Sequence, residues 1–223
     1  MLLSIFTVWL GLFSICFTFL PFMMVWEWKK RGTADGFSSV NFVLPVLIQC
    51  CWLRHGLMTN DQTNIIINSL NLVFFAFYIS AFAYYQPKRK YLIGQLIALV
   101  ITVKAIFAYV DMQAPSEQAD TMGTAAAAAQ IASLAGGLYE IKRAVSMGTT
   151  EYIPASFQFA LFTLIVQWLL FGILHGNQFI AIANAAGLVV NILTLATYFF
   201  YPPLTWTVPI FNIPPQKISD KKI

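Results

Sequence analysis

Long apolar runs separated by short polar breaks account for most of this chain of 223 residues. A helix needs roughly 20 predominantly apolar residues to cross the hydrocarbon core of a bilayer. Breaks such as 29–32, 59–61 and 86–90 carry the lysine, proline and asparagine residues that interrupt such helices. The pattern therefore predicts an all-α integral membrane protein with seven transmembrane helices, at residues 4–28, 40–57, 64–85, 91–110, 121–141, 155–174 and 179–201.

The composition agrees with a membrane protein and excludes several other classes. Apolar residues make up 59% of the chain and charged residues only 10%, whereas a soluble domain has about 25% charged residues. The same values exclude a disordered chain and a nucleic-acid-binding protein. Three cysteines within apolar runs and two isolated histidines indicate no disulfide framework and no metal site. No nucleophile–base pair recurs in the runs, so we expect neither an enzyme nor a cofactor.

Basic residues are concentrated in alternate breaks between the runs, and this determines the predicted orientation. Lysine and arginine in short loops stay on the cytoplasmic side of a membrane. We expect the N-terminus outside, the C-terminus in the cytosol, and a first helix that is retained and not cleaved as a signal peptide. Most of the 13 basic residues belong to these breaks and the tail: Lys29, Lys30, Arg31, Lys88, Arg89, Lys90, Lys142, Arg143, Lys217, Lys221 and Lys222.

The chain also contains an internal repeat. A shift of 116 positions pairs tryptophan, glycine and asparagine at identical internal spacings, which apolar segments rarely do by chance. The matched pairs are Gly32 with Gly148, Trp52 with Trp168, Gly56 with Gly172, Asn68 with Asn184, and Pro87 with Pro203. An odd linker helix lets two three-helix units enter the membrane from the same side, which predicts parallel bundles in a 3+1+3 order. The predicted boundaries are 1–86 for the first repeat, 87–120 for the linker helix and its loops, 121–203 for the second repeat and 204–223 for a cytosolic tail.

Each repeat contains distinctive short motifs: GTTEYIP at 148–154, WLLFG at 168–172 and IANAAG at 182–187 in the second, and FLP at 19–21, WLRHG at 52–56 and INS at 67–69 in the first. These motifs resemble those of the SWEET family of sugar transporters. The resemblance covers nearly the whole chain. It implies a bidirectional uniporter that moves a mono- or disaccharide by facilitated diffusion and alternating access, without ion coupling.

The resemblance also implies a substrate pocket formed by Asn68, Asn184, Trp52 and Trp168. An indole plane can cover the C–H face of a sugar, and an amide both donates and accepts hydrogen bonds. Two structural alternatives stay open, because tryptophan also anchors helices at the membrane interface and asparagine also bonds neighbouring helices. We expect interface anchors at Trp9, Trp26, Trp28 and Trp206, and structural roles for Asn71 and Asn191.

Prolines near helix bends act as hinges in the family. Pro21 and Pro154 match the prolines of helices 1 and 6, Gly137 replaces that of helix 5, and Pro45 lies about one turn beyond the matched position in helix 2. At the outer gate, where the family often has tyrosine and aspartate, this chain has other residues. We therefore expect hinge or gating roles for Pro21, Pro45, Gly137, Pro154, His55 and Asn177.

Two other functions are weighed against sugar transport. A proton-coupled amino-acid exporter of the PQ-loop type would need a carboxylate in the membrane interior, and the predicted helix centres contain none. A seven-helix receptor would need larger loops to meet a cytosolic partner. We expect a sugar and the lipid bilayer as partners, allow for a homo-oligomer, and expect no nucleic acid. The expected location is the plasma membrane, with Golgi or endosomal membranes as the alternative.

Overall fold

The computed structural model describes residues 2–35 and 37–216. The tail lysines Lys217, Lys221 and Lys222, on which part of the orientation prediction rests, lie outside these residues. The described chain is all-helical apart from its loops and one isolated β-bridge. Its nine helices are α1 (Leu2–Thr18), α2 (Phe22–Arg31), α3 (Val40–Thr59), α4 (Gln62–Tyr85), α5 (Lys90–Asp111), α6 (Gln118–Ser133), α7 (Ala135–Met147), α8 (Ala155–Leu174) and α9 (Gln178–Phe200).

Six of these helical stretches in the described chain are long and apolar enough to cross a membrane. They are α1 with α2 taken together, α3, α4, α5, α8 and α9. The predicted multi-pass membrane protein is thereby confirmed at the level of length and composition. The continuous helix predicted over 121–141 is instead two shorter ones, α6 and α7. The Leu134 amide bonds to the Ile131 carbonyl at 3.0 Å, a tighter i to i−3 turn that interrupts the α-helical ladder.

The chain divides into two compact units, Met1–Ala129 and Gln130–Ile223. In the first unit α3 and α4 form a closely packed hairpin, α1 and α2 pack on α4, and α5 packs on α3. In the second unit α8 and α9 form the corresponding hairpin, and α7 packs on α9. The division between units falls within α6, and the finer domain boundaries proposed above stay a prediction.

The internal repeat is visible as the same backbone hydrogen bonds made separately in each unit. The Gly56 carbonyl accepts from the Asp61 amide at 2.9 Å in the turn between α3 and α4. Its partner 116 positions later, the Gly172 carbonyl, accepts from the Asn177 amide at 2.8 Å between α8 and α9. The side chains of Asp61 and Asn177 then cap α4 and α9 by accepting from the third following amide. The two hairpins therefore have the same turn hydrogen bond and the same helix cap.

A second matched feature lies at the opposite end of each hairpin. Gly32 and Gly148 end α2 and α7 in the left-handed conformation, with φ of 70° and 68°, which glycine adopts at little cost. Two residues later, the Ala34 amide bonds to the Tyr85 carbonyl at 3.0 Å and the Thr150 amide to the Tyr201 carbonyl at 2.9 Å. The repeat therefore includes the loops as well as the helices.

The core of the first unit corrects one prediction about tryptophan. Trp9 and Trp26 are more than half exposed, as an interface anchor would be, but Trp28 is fully buried. Its ring packs edge-on against Phe42 at 5.4 Å and Phe82 at 5.3 Å. The prediction of Trp28 as an interface anchor is wrong, because the face of α2 that carries it packs against α4 and the start of α3.

The segment after α9 is folded onto the second unit. Residues 203–216 include a bridge between Val208 and Ile213, and Val208 is fully buried among Ala144, Ile153 and Tyr198. Trp206, expected at the membrane interface, is partly buried and packs on the Tyr198 ring at 6.1 Å. This part of the tail is thus a structured cap on the second unit.

Glu151 attaches this cap to the loop between α7 and α8. Its carboxylate accepts from the Leu204 amide at 2.6 Å, the Thr205 amide at 3.1 Å and the Thr205 hydroxyl. The Thr205 hydroxyl, followed by the two amides, lowers the pKa of Glu151 below its ordinary value near 4.5. Because the folded-state pKa is depressed, the stabilisation is present above the ordinary value and is lost as the pH falls through the lowered one.

We expect Glu151→Gln to loosen residues 203–216 without unfolding the helices. The neutral amide accepts these hydrogen bonds more weakly than a carboxylate, so the Leu204 and Thr205 amides should exchange hydrogen faster near neutral pH. Hydrogen exchange followed by mass spectrometry would measure this. Glu140→Gln, which removes a carboxylate paired with Arg143 in the same unit, is the matched control. Equal exchange of the 203–216 peptide in both variants would contradict the assignment.

Candidate functional site

Asn68 lies on α4, in the hairpin of the first unit, and is buried. Its Nδ2 group donates to the Asn64 carbonyl oxygen at 2.8 Å, one turn earlier on α4, and also contacts Asn64 Oδ1. Asn64 is itself buried, and its Nδ2 has no hydrogen-bond partner among the described residues. Asn64 was not among the predicted site residues, although its i, i+4 spacing to Asn68 on a helix places the two side chains next to each other.

Asn184 occupies the equivalent position on α9 of the second unit and is also buried. Its Nδ2 group donates to the Ile180 carbonyl oxygen at 2.8 Å, again one turn earlier. A backbone carbonyl can only accept, so the atom facing it must be the amide nitrogen. Each asparagine therefore keeps its amide oxygen as an acceptor with no hydrogen-bond partner in the part of the chain that the structure describes.

The two tryptophans predicted for the pocket make the same type of ring contact but differ in burial. Trp52 on α3 is buried and meets the His55 ring edge-on at 5.8 Å. Trp168 on α8 is partly buried and meets the Phe171 ring edge-on at 5.4 Å. His55 and Phe171 are themselves 116 positions apart. Each indole is thus held by a ring three residues later on its own helix, and the burial of Trp52 disfavours a role as an interface anchor.

Two of the four predicted hinge residues directly precede helices, and the other two lie within helices. Pro21 directly precedes α2 in the interruption after α1, and Pro154 directly precedes α8. Pro45 lies inside α3, where it removes one backbone donor from the ladder. Gly137 lies in α7, close to the interruption at Leu134. A Cβ at Gly137 would come within 2.9 Å of Val190 Cγ1, so this glycine also permits close packing of α7 on α9.

The two predicted gate residues have structural contacts within their own units. The Nδ1 atom of His55 lies 3.1 Å from the Ala119 carbonyl oxygen, and the side chain is almost fully buried. Asn177 caps α9 by accepting from the Ile180 amide at 3.2 Å. These contacts explain why a polar residue is suitable at each position, and a gating role stays a prediction.

Other polar side chains in the apolar helices connect neighbouring helices. Asn71 accepts from the Thr18 hydroxyl at 2.6 Å and donates to Gln49 at 3.3 Å, which joins α1, α4 and α3. Asn191 donates to the Gln158 side chain at 2.9 Å between α9 and α8. The structural role expected for both asparagines is confirmed by these bonds.

Charged groups play little part near the candidate residues. Arg54 on α3 pairs with Asp111 at the end of α5 and lies over the Phe107 ring at 4.3 Å, so its charge is balanced there. Among residues 2–35 and 37–216, no group of three or more His, Cys, Asp or Glu side chains could hold a metal ion. What the two hairpins do offer is neutral: amide oxygens and indole rings, which suit an uncharged polyhydroxylated ligand.

A comparison with known protein families shows which family the chain belongs to. The profile of the family described as "Sugar efflux transporter for intercellular exchange" matches residues 2–90 and 120–205, most of the chain. The chain belongs to this family, the SWEET transporters. The two matched segments correspond to the two repeats, and α5 falls between them apart from its first residue.

Several curated SWEET proteins are similar to the chain at low identity. The sugar transporter SWEET1 of Drosophila pseudoobscura is 24% identical over 195 residues, covering 85% of each protein. SWEET1 of Caenorhabditis elegans is 26% identical over 189 residues, and the match covers 85% of this chain and 62% of that protein. The bidirectional sugar transporter SWEET13 of rice is 25% identical over 178 residues, and the match covers 60% of its length.

The fold itself matches a solved SWEET structure. A eukaryotic SWEET transporter determined at 3.7 Å resolution superimposes with a TM-score of 0.78 at 22% identity, covering 90% of this chain and 99% of that one. At this identity the match shows the shared fold.

Proposed function

We propose that this SWEET protein is a bidirectional sugar uniporter that works by alternating access. The observation that carries the proposal is the matched pair Asn68 and Asn184. Each amide is held by the carbonyl one turn earlier and presents an oxygen without a partner among the described residues. Rice SWEET13 is named a bidirectional sugar transporter, which supports the same function here.

The amides and indoles would act on the substrate in complementary ways. The oxygens of Asn68 and Asn184 accept hydrogen bonds from sugar hydroxyls, while the faces of Trp52 and Trp168 cover the apolar C–H surface. The side chains that bind the sugar must be neutral in this mechanism, because an ionised side chain would have to be moved or desolvated as the site opens to either side of the membrane. An empty and a loaded carrier can then both change conformation, which allows transport in either direction.

We further propose the 3+1+3 arrangement, with α5 as the linker between two parallel three-helix units. The gap between the two profile matches, which contains nearly all of α5, supports it. The basic breaks support an external N-terminus, and the plasma membrane is the proposed location. The proposed points of bending are Pro21, Pro45, Gly137 and Pro154, and the proposed gate positions are His55 and Asn177.

Counterflow in proteoliposomes tests this function directly. The purified protein is reconstituted in vesicles preloaded with unlabelled sugar, and entry of labelled glucose, fructose and trehalose is followed with and without a pH gradient. We expect at least one of these sugars to accumulate transiently, at a rate that the pH gradient does not change. Accumulation that requires the pH gradient would contradict an uncoupled uniporter and favour a proton-coupled transporter instead.

A further inference from the structure

Asn64 is a buried amide on α4 that has no role in the sugar site proposed above. It lies one helical turn before Asn68 and is 2% exposed. Its side chain starts close against α3, because a Cβ added at Gly56 would lie only 3.2 Å from the Asn64 Cβ. Its backbone amide donates to the capping carboxylate of Asp61 at 3.0 Å. Asn64 is therefore fixed in the hairpin from both sides.

Asn64 supplies two acceptors to Asn68. The Nδ2 group of Asn68 donates to the Asn64 carbonyl oxygen at 2.8 Å and also to Asn64 Oδ1. A side-chain amide has two N–H hydrogens, so acceptors of one residue engage both of them. Turning the Asn68 amide over would break both bonds and place its oxygen against two other oxygens. Asn68 is thus held with its nitrogen towards Asn64 and its oxygen free to accept.

The second repeat lacks the side-chain half of this arrangement. Ile180 stands 116 positions after Asn64 and is also 2% exposed. Its carbonyl oxygen accepts from Asn184 Nδ2 at 2.8 Å, but its aliphatic side chain offers no acceptor. The terminal torsion of an asparagine side chain is soft. Asn184 therefore needs to break only one hydrogen bond to turn and present its nitrogen.

Stability alone does not account for an asparagine at position 64. The Asn64 Nδ2 group is buried without a hydrogen-bond partner among the described residues, which is unfavourable for a polar donor. Ile180 shows that an aliphatic side chain is accommodated at the matched position of the other hairpin. What the asparagine does supply is the second acceptor for Asn68.

We propose that Asn64 is a positioning residue that fixes Asn68 as an acceptor of a hydrogen bond from the sugar. This role rests on the sugar-transport function proposed above. It gives the two matched asparagines different specificities. Asn68 requires a sugar hydroxyl that donates, whereas Asn184 is able to turn and meet a sugar oxygen that accepts. Sugars that lack a free hydroxyl at the position facing Asn68 are therefore poor substrates.

Competition by fluorinated sugars in the counterflow assay tests this assignment. Fluorine is similar in size to a hydroxyl group but cannot donate a hydrogen bond. Unlabelled analogues of the transported sugar, with one hydroxyl replaced by fluorine at each position in turn, compete with the labelled sugar. We expect at least one analogue to compete at least about five-fold more weakly than the sugar itself, because the fixed Asn68 oxygen then meets no donor.

Asn64→Leu should reduce this loss to about two-fold, because Asn68 is then held by one hydrogen bond and can turn its nitrogen towards the fluorine. Leucine resembles asparagine in shape and removes an unpaired donor, so the melting temperature in detergent should not fall. In an Asn68→Ala background the same substitution should leave the competition profile unchanged, since Asn64 acts only through Asn68. Asn41→Leu, at an exposed position at the start of α3, is the matched control and should keep the parent profile.

Ile180→Asn is the reciprocal variant. It gives Asn184 a second acceptor one turn earlier, so a further fluorinated analogue should compete at least about five-fold more weakly than with the parent protein. This variant decides the question by itself if Asn64→Leu does not fold, because it changes the other hairpin.

An unchanged competition profile in folded Asn64→Leu, or in Ile180→Asn where only that variant folds, would overturn the role of Asn64. An equal change for all analogues, together with a lower melting temperature, would also overturn it, since that is the result of a purely structural residue. A parent protein that exchanges no sugar would remove the transport function and this role with it. A parent protein that exchanges sugar, with an Asn64→Leu variant of identical profile, would remove the role of Asn64 alone.

Discussion

Replacing Asn184 by alanine should reduce sugar counterflow by at least about five-fold, and replacing Asn68 should have the same effect. In the proposed site each amide oxygen accepts a hydrogen bond from a sugar hydroxyl. Without it, a hydroxyl is left unpaired in a site closed to water, which costs about 1–3 kcal/mol. The Nδ2 bonds that are lost join each asparagine to its own helix. Folding and insertion should therefore be retained.

Two further asparagines provide matched controls for this loss. Asn41, exposed at the start of α3, should tolerate alanine with normal counterflow and a normal melting temperature. Asn191 bonds to Gln158 between two helices, so Asn191→Ala should lower the melting temperature, and any change in counterflow should follow the loss of folded protein. Normal counterflow in both Asn68→Ala and Asn184→Ala would disprove the assignment of the pocket.

The features that could be predicted from the sequence are those with a strong local or repeated signal. Apolar runs of the length of a bilayer identified the helices, and rare residues such as Trp52 and Trp168 identified the repeat. The repeat then anticipated matched positions for Asn68 and Asn184, which the structure shows with the same hydrogen bond in each unit. The same residue types at identical spacing were enough to predict the repeat and these two positions.

Features that depend on packing between helices could not be predicted in this way. Trp28 follows Trp26 by two residues near basic side chains, so the pattern favoured the interface for both, yet only Trp28 faces the core. The break at Leu134 follows an alanine-rich stretch that hydropathy interprets as one helix. Residues 203–216 are proline-rich and follow the last apolar run, so residues from 204 onward were predicted as a cytosolic tail; only the buried Val208 and the bonds to Glu151 reveal their packing.

Replacing Gly172 by alanine should lower thermal stability more than any other glycine-to-alanine change in the two hairpins. A Cβ at Gly172 would lie 2.7 Å from the Ala181 backbone nitrogen and 3.1 Å from the Asn177 carbonyl oxygen. These are backbone atoms of the turn and of α9, which cannot rotate away as a side chain can. Overpacking in a well-packed core costs typically about 1–3 kcal/mol, through side-chain strain and backbone shifts.

The repeat supplies a graded comparison for this prediction. At Gly56, the counterpart of Gly172, a Cβ would lie 3.2 Å from Asn64 Cβ and 3.3 Å from Ile65 Cγ1, so we expect a smaller loss. At Gly94 on α5 nothing lies within 4 Å, and alanine is favoured over glycine in a helix by about 1 kcal/mol. Melting temperatures in detergent should therefore rank Gly94→Ala at or above the parent, then Gly56→Ala, then Gly172→Ala. A Gly172→Ala variant as stable as Gly94→Ala would contradict this account of the hairpin.

The same substitution should also affect transport, because the turn at Gly172 positions the residue proposed to bind sugar. The Asn177 amide bonds to the Gly172 carbonyl, and Asn177 caps α9. Asn184 lies two helical turns further along, about 10 Å from the cap, so a shift of α9 away from α8 moves its amide oxygen by a comparable amount. In the protein that remains folded at low temperature, counterflow by Gly172→Ala should thus fall while that by Gly94→Ala stays normal. Normal counterflow per folded molecule in Gly172→Ala would show that the position of Asn184 does not depend on this close contact.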